Sequence, residues 1–401
     1  MDADELRREA RALLPGAIEL RRKIHRQPEL GLVLPETQQA VLESLAALDL
    51  EIHTGGATRA VLAVLRGARP GPTLLLRADM DALPLQEDTN LEFRSERDGA
   101  MHACGHDAHV AMLAGAARLL VARRDTLEGT RKFLFQPGEE GYAGARVLIG
   151  EGLLDQAPKV DAAFAIHVDS SLPAGLVATR PGPLMAAGDL FSIDLVGKGG
   201  HAAQPHLARD PIPVACEIVM ALQAMVTRQI HAFDPAILSV TKISAGTAGN
   251  VIPERAHLLG TIRTVSEIAR RSVHERLERT VRGIAAAHGL EVSLHVIPGY
   301  PVTVNHDGFT GFVQEVAAHL LGADRVVPMP SPVMGAEDFS YVLQRVPGAM
   351  VFLGARTEGS GAAPLHSNRM VIDESALADG IALHAAMALR YPAAAAGFAP
   401  R

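Results

Sequence analysis

The sequence predicts an α/β protein whose mostly parallel sheet belongs to a larger domain with a smaller domain inserted into it. Nearly continuous apolar runs at 72–76, 131–136 and 161–168 alternate with helical patterns. Such runs are typical of strands that are buried on both faces of a parallel sheet. Over 186–298 the order of elements becomes β-α-β-β-α-β, and the first of these strands alternates apolar with polar residues. This is the order of the ferredoxin-like fold.

The larger domain is predicted to occupy residues 1–185 and 299–401, and the inserted domain residues 186–298. A charged amphipathic helix is expected over 3–26. The other expected helices of the larger domain are at 36–49, 109–123, 307–321, after 336, and at 373–390; its strands are at 59–65, 72–76, 131–136, 161–168 and 349–353.

Inside the inserted domain, capping residues predict where the helices begin and end. Asp210 can cap a helix that has Pro211 in its first turn and continues to about 230. A second helix is expected over 266–288, ending at Gly289. Strands at 236–243, 256–264 and 291–297 complete the pattern.

Composition excludes several classes of protein. The chain has 38 basic and 45 acidic residues and a net charge of −7, which disfavours nucleic-acid binding. Its two cysteines, Cys104 and Cys216, cannot form a disulfide framework and fit a reducing compartment. The N-terminal segment lacks an apolar signal core, and the apolar stretches are too short to span a membrane. We therefore expect a cytoplasmic protein with no nucleic-acid or membrane partner.

The segment HACGHDAH (102–109) is the strongest local indication of chemistry. It places three histidines, one cysteine and one aspartate within eight residues. Thiolate and imidazole are good ligands for zinc and other transition metals, and Cys104 and His106 are close enough in sequence to face one ion. By itself the segment fits equally well a histidine-rich surface loop with a buried cysteine.

The position of other polar side chains, directly after buried strands, indicates a binding site. QPGEE (136–140), Asp79 and Asp81, and His167 each follow a predicted buried strand. Alone, the glutamates fit an acidic turn, and His167 or His366 fits a structural histidine. Ligands of open α/β sheets, however, bind beyond the carboxyl ends of the strands. Their common position therefore predicts a metal site at that edge.

The combination of these motifs resembles the metal-dependent aminoacylase and carboxypeptidase family. The most similar branch contains hippurate hydrolases, N-acyl-amino-acid amidohydrolases and auxin-conjugate hydrolases. The resemblance covers nearly the whole chain and includes these segments: HRQPE (25–29), RADMDALP (77–84), HACGHDAH (102–109), QPGEE (136–140), GGHAAQPH (199–206), NVIP (250–253), GTIR (260–263), GAEDF (335–339) and LHS (365–367). Gly138 stands where the branch often has alanine, and SNRM (367–370) also departs from it.

The resemblance implies a role for each matching residue. The implied metal ligands are Cys104, His106, Glu140, His167 and His366. Glu139 is the implied general base, and Asp81 is grouped with it among the catalytic residues. Asp79 and Glu337 are expected to support ligating side chains. In the inserted domain, His201 matches a histidine that polarises the scissile carbonyl, often from the partner subunit of a dimer. Asn250 and Arg263 match positions that hold the substrate carboxylate.

The implied activity is hydrolysis of N-acyl-L-amino acids, such as N-acetyl or N-benzoyl compounds, by a metal-activated water. The implied cofactors are two divalent ions per subunit, zinc or manganese, with cobalt or nickel accepted by some members. The implied assembly is a homodimer or dimer-based oligomer formed through the inserted lid domain.

Two alternatives remain. A dipeptidase or carboxypeptidase would use the same dinuclear chemistry, and a metal-free relative would act as a scaffold; the complete ligand set disfavours the scaffold.

Overall fold

A computed structural model describes residues 2–359 and 363–398 of the chain. The α-helices in this part are α1 (Ala3–Arg26), α2 (Pro35–Leu45), α3 (His106–Val121), α4 (Gly144–Gly150), α5 (Pro211–Gln229), α6 (Glu267–Ala287), α7 (Asp307–Leu321), α8 (Ser340–Leu343) and α9 (Ala376–Ala394).

The strands of the described residues are β1 (Glu51–Thr54), β2 (Val61–Arg66), β3 (Arg69–Asp79), β4 (Glu128–Gln136), β5 (Ala162–Pro173), β6 (Val177–Thr179), β7 (Gly182–Met185), β8 (Ala187–Val196), β9 (Gly200–His201), β10 (Ala236–Ala245), β11 (Val251–Ile252), β12 (Arg255–Thr264), β13 (Glu291–Ile297), β14 (Thr303–Asn305), β15 (Val326–Pro328) and β16 (Gly348–Arg356).

The large sheet has the order β1-β2-β4-β3-β5-β16-β6-β15. Its central pairs, β3 with β4, β3 with β5 and β5 with β16, are parallel, which confirms the predicted mostly parallel sheet. Leu74, Leu75 and Leu76 of β3 are fully buried. Parallel pairing brings the carboxyl ends of β3, β4 and β5 to one edge, where Asp79 lies opposite Gln136.

Small side chains allow helices to pack closely on this sheet. Helices α1, α3 and α9 contact one another, and their buried faces are rich in alanine and leucine. Asp2 caps α1 by accepting from the backbone amides of Asp4 and Glu5, as expected of an N-cap aspartate. Aromatic residues form only 4% of the chain, so this core is mainly aliphatic.

A second, four-stranded sheet has the order β10-β12-β8-β13, and all of its pairings are antiparallel. Helices α5 and α6 supply its core, with Val214, Ile218 and Leu222 packed among residues such as Val273 and Leu277. Chain order and strand order together give the predicted β-α-β-β-α-β arrangement.

Contacts divide the chain into two compact units. The first comprises residues 1–184, 304–331 and 338–401, and the second residues 185–303 and 332–337. The function of 186–298 as a lid and dimerisation domain stays a prediction.

Helix α5 has the length and mean hydropathy (1.2) of a membrane span, but core helices pass the same test, and one face of α5 packs in the second unit.

The differences from the predicted elements concern ends and short strands. Helix α2 ends at Leu45 rather than at 49, and α3 begins at His106, three residues earlier than expected. After residue 336 the helix is the single turn α8. Strands of two to four residues, such as β6, β9 and β11, were not predicted because so few residues show no periodicity.

Candidate metal centre

Gly105 shapes the loop that carries Cys104 and His106. It caps α3 in the left-handed region, with φ at +81°, and a Cβ atom there would lie 2.3 Å from Cγ2 of Val168. Any other residue would be strained and would collide with Val168, the neighbour of His167 in β5. The glycine therefore lets the loop approach β5 and brings the thiol near a histidine that is distant in sequence.

Hydrogen bonds orient two of the predicted ligand histidines. Nδ1 of His106 lies 2.8 Å from the carbonyl oxygen of Asp81, and Nδ1 of His167 lies 2.7 Å from that of Val168. A carbonyl oxygen can only accept, so both rings donate from Nδ1 and present an unprotonated Nε2 to the site when neutral. Nε2 of His167 is 3.4 Å from the Cys104 sulfur.

Asp81 holds the turn that carries the two glutamates. Its Oδ1 accepts from the backbone amide of Glu139 at 2.9 Å, and its Oδ2 accepts from that of Glu140 at 3.0 Å. Because backbone amides bind both of its oxygens, Asp81 fixes the position of the turn. The side chain of Glu139 is almost fully buried, and that of Glu140 is 13% exposed.

His366 enters from a different part of the chain. Its backbone amide donates to the carbonyl oxygen of Ala103 at 2.8 Å, and its φ is +66°, which a residue with a Cβ rarely adopts. Strain of this kind persists where the surrounding structure holds it, often at functional sites. Nε2 of His366 lies 3.3 Å from Oε1 of Glu140.

The structure brings all five predicted ligands together. Cys104 belongs to two groups whose ligand atoms lie within 4.8 Å of one another, the first with His106 and His167, the second with Glu140 and His366. A third group of this kind joins His106 with Glu139 and Glu140. The predicted base therefore lies beside the predicted ligands.

The donor atoms fit a metal ion. Among the described residues, Nε2 of His106 is buried without a hydrogen-bond partner, which is costly unless something else binds it. Burial alone would raise the pKa of the Cys104 thiol, but the charges of His167 and His106 lower it to about 6. The thiolate that binds metals is thus favoured at neutral pH.

A buried charge network lies beneath this cluster. Arg77 donates to Asp79 at 2.5 Å, to Asp338 at 2.9 Å and to Gln136 at 3.0 Å. Burial would raise the pKa of Asp79, but the Arg77 guanidinium and the neighbouring histidines hold it well below its usual range. Asp79 therefore remains a carboxylate beside His106, whose Nε2 is 3.7 Å away.

His109, the last residue of the HACGHDAH segment, connects two parts of the site. Nε2 of His109 accepts from the backbone amide of Val168 at 2.8 Å, so its proton is on Nδ1, which donates to Asp79. Asp107, the neighbour of His106, is likewise held by Arg21 and His25 of α1. In the sequence, Arg77 could have been recognised as a buried charge because it is a single charged residue directly after an apolar run.

We expect His109→Ala to weaken metal binding by about 10–100-fold, as is usual when a residue that orients a ligand is removed. The substitution leaves the amide of Val168 without its acceptor and Oδ1 of Asp79 without the donation from His109, while Arg77 still donates to Oδ2 of Asp79. Competition with a chromogenic chelator measures the affinity. His109→Gln, which can still donate to Asp79, should recover part of it. Unchanged affinity in the alanine variant would contradict a positioning role.

The remaining predicted residues belong to the second unit. His201 in β9 pairs with Val251 in β11, and the amide of Ala202 donates to the carbonyl oxygen of Asn250, so His201 and Asn250 lie on neighbouring segments. Both side chains are exposed. Arg263 lies in β12, opposite Gly188 of β8. Glu337 is buried.

Comparisons with known proteins agree with this chemistry. The model of peptidase family M20/M25/M40 matches residues 75–390. The chain is 42% identical to thermostable carboxypeptidase 1 of Saccharolobus solfataricus, over 97% of this chain and 98% of the relative. It is 40% identical to N-acetylcysteine deacetylase of Bacillus subtilis, over 90% and 92%. The crystal structure of the YXEP protein of Bacillus subtilis, a dinuclear metal-binding peptidase, superimposes with a TM-score of 0.81 at 36% identity and covers 95% of this chain and 99% of that one.

Proposed function

The chain belongs to peptidase family M20/M25/M40, and we propose that it hydrolyses the amide bond of N-acyl-L-amino acids. It is therefore a metal-binding hydrolase of the amidohydrolase and peptidase type. The observation that carries the proposal is the buried cluster of Cys104, His106, Glu140, His167 and His366, with Glu139 beside it.

Glu139 is the residue that moves the proton in this proposal. A bound divalent ion lowers the pKa of a water molecule from 15.7 towards about 7 and polarises the scissile carbonyl. The Glu139 carboxylate takes a proton from the attacking water and passes it to the amine nitrogen as the C–N bond breaks. The products are a carboxylate and a free amino acid. Asp81 keeps Glu139 in place through its backbone amide.

Two divalent ions per subunit are the proposed cofactors. The five ligand side chains offer one thiolate, three imidazoles and one carboxylate. The thiolate and imidazoles favour zinc, and the carboxylate also suits manganese, so we propose one of these two, with cobalt or nickel as substitutes. Mass spectrometry of the purified protein should find metal at two equivalents per subunit.

Arg263 and Asn250 are proposed to hold the substrate carboxylate, and His201 to polarise the carbonyl. A Cβ atom on Gly188 would lie 1.8 Å from Nη1 of Arg263, so the guanidinium rests directly over this glycine. The beginning of β8 is held in place there, because Asp189 binds Arg270 and His274. A guanidinium in a fixed place can bind a carboxylate through two hydrogen bonds.

We expect Gly188→Ala to raise KM for an N-acyl amino acid and to leave kcat little changed, because the added methyl mainly displaces the flexible end of Arg263, with a smaller adjustment at Ala336. With a substrate whose carboxylate is converted to an amide, the wild-type protein and the variant should have the same KM. Steady-state kinetics on both substrates measures this. Gly56→Ala is a suitable control, since a Cβ atom there meets nothing within 4 Å. An equal effect on both substrates would argue against carboxylate binding by Arg263.

We also propose a cytoplasmic homodimer in which His201 acts on the partner's substrate. Mixing inactive His201→Ala protein with inactive Glu139→Gln protein should then restore activity, since a heterodimer contains one complete site. Light scattering gives the mass of the assembly, and native mass spectrometry of the mixture verifies subunit exchange. A monomer, or an exchanged dimer without recovery, would overturn this assembly.

The rival activity is that of a carboxypeptidase or dipeptidase, and the similarity to thermostable carboxypeptidase 1 supports it. A panel of N-acetyl, N-benzoyl and longer N-acyl amino acids, beside dipeptides with a free amine, distinguishes the two when assayed with zinc and with manganese. Higher kcat/KM for the N-acyl compounds is expected. Preference for the dipeptides would overturn the proposal and leave the metal chemistry intact.

A further inference from the structure

A buried arginine of the first helix joins two parts of the chain that carry predicted metal ligands. Nε of Arg21 in α1 donates to Oδ2 of Asp107 at 3.0 Å, and its Nη1 donates to Oε1 of Glu374 at 2.8 Å. Asp107 follows His106 directly at the start of α3, and Glu374 belongs to the segment that begins with His366. We call Arg21, Asp107 and Glu374 the arginine bridge.

The segment from His366 to Glu374 is held at both of its ends. The amide of His366 donates to the carbonyl oxygen of Ala103 at 2.8 Å. At the other end, the Glu374 carboxylate accepts from Arg21 and also from Nε and Nη2 of Arg22, at 3.0 and 2.5 Å. The φ of His366 is +66°, and such a conformation persists only where the surrounding structure holds it. The Glu374 end therefore contributes to the position of His366.

Stability alone does not account for these buried charges. The side chain of Arg21 is 1% exposed, that of Asp107 is fully buried and that of Glu374 is 15% exposed. Replacing buried ion pairs by apolar residues is often neutral or stabilising. A guanidinium, however, offers its hydrogen bonds in a fixed planar geometry, so it sets the relative position of the groups that it binds. The bridge thus fixes the segment of His366 relative to the start of α3.

We propose that Glu374 is a positioning residue for the metal centre and that, through Arg21, it keeps His366 in place beside the ligands of the HACGHDAH segment. This inference rests on the proposed function, which assigns His366 to a metal ion. Asp107 has a second partner, because Nδ1 of His25 lies 2.8 Å from its Oδ2. Glu374 is therefore the more selective place to break the bridge.

The bridge should act on one of the two proposed ions. Cys104 belongs to two groups of possible ligands, and His366 belongs to only one of these. In the other group, Nδ1 of His106 is held independently by the carbonyl oxygen of Asp81. A change at Glu374 should therefore weaken binding of the ion that contacts His366 and spare the other ion.

A double-mutant cycle, measured by competition with a chromogenic chelator, tests this role. Glu374→Gln keeps the shape of the side chain and removes its charge. It should weaken binding of the ion that His366→Ala releases by about tenfold, the lower end of the range for residues that orient a ligand. In the His366→Ala background it should not change the affinity for the remaining ion. No weakening in the wild-type background, or equal weakening in both, would overturn the positioning role.

Two further variants complete the experiment. Glu43→Gln breaks an ion pair of α2 with Lys23 of α1 in which both side chains are about half exposed, and it should leave both affinities unchanged. Glu374→Asp keeps the charge on a shorter side chain. It should weaken binding of the same ion by less than the glutamine does, and it carries the same cycle if Glu374→Gln does not fold.

The outcome for the wild-type protein separates this inference from the proposed function. If that protein binds two ions and hydrolyses N-acyl amino acids, but the effect of Glu374→Gln does not depend on His366, only the positioning role is overturned. If the wild-type protein binds no divalent ion, the proposed function is overturned together with it.

Discussion

Replacing Glu139 by glutamine should abolish most of the activity and leave the metal bound. General base catalysis contributes about 10²–10⁴-fold to rate, and an amide cannot take the proton from water. Glutamine keeps the shape of the side chain, and Asp81 binds the backbone amide of residue 139 rather than its carboxylate, so the turn should be preserved. Measurement of kcat together with metal content by mass spectrometry checks both halves of the prediction.

Glu140→Gln is the matched control, because the two glutamates are adjacent and each has its amide bound by Asp81. We expect this variant to lose metal as well as activity, since the Glu140 carboxylate lies in one group of possible ligands with Cys104 and His366, and a neutral amide binds a cation more weakly. Loss of metal from Glu139→Gln would instead make Glu139 a ligand. The geometry permits that outcome, because Glu139 shares a group with His106 and Glu140.

Replacing Arg77 by methionine should destabilise the protein by about 3–5 kcal/mol, the usual cost of leaving a buried charge without its partner. Arg77 is 1% exposed, and it neutralises Asp79 and Asp338, both fully buried. Methionine keeps most of the volume, so the loss comes from the charge. Urea denaturation of the metal-free protein measures the free energy of unfolding without a contribution from the ion.

Two variants show whether the uncompensated charge is the cause. Arg66→Met breaks an ion pair with Glu51 in which both side chains are about half exposed, and little change is expected because solvent screens such pairs. Combining Arg77→Met with Asp79→Asn and Asp338→Asn removes the unpaired charges and should recover part of the lost stability. No recovery would mean that Arg77 stabilises the sheet by packing alone.

The sequence predicted the sheet well because its strands are long apolar runs, and it predicted the grouping of Asp79 and Glu139 because β3 and β4 end at one edge. His167 was expected at the end of its strand, but β5 continues to Pro173, and the register of β3 with β5 is what sets His167 level with Asp79. The catalytic roles of these residues remain predictions. His366 could be placed only through the resemblance to a family, because no strand pattern precedes it. The network around Arg77 was beyond prediction. It depends on the register of β3 with β4 and on Asp338, which is far away in the sequence.

His366 forms a hydrogen bond with Ala103, which is far earlier in the sequence, so the set of metal ligands is completed late during synthesis. A ribosome makes Cys104, His106, Glu140 and His167 before the whole of 185–303, and His366 after it. The nascent chain therefore exposes an incomplete set of donors while the second unit is being made. Domains generally fold as units during synthesis, so the inserted segment can fold before the host that surrounds it is complete. Tight metal capture must await the last ligand, which makes it a late step in maturation.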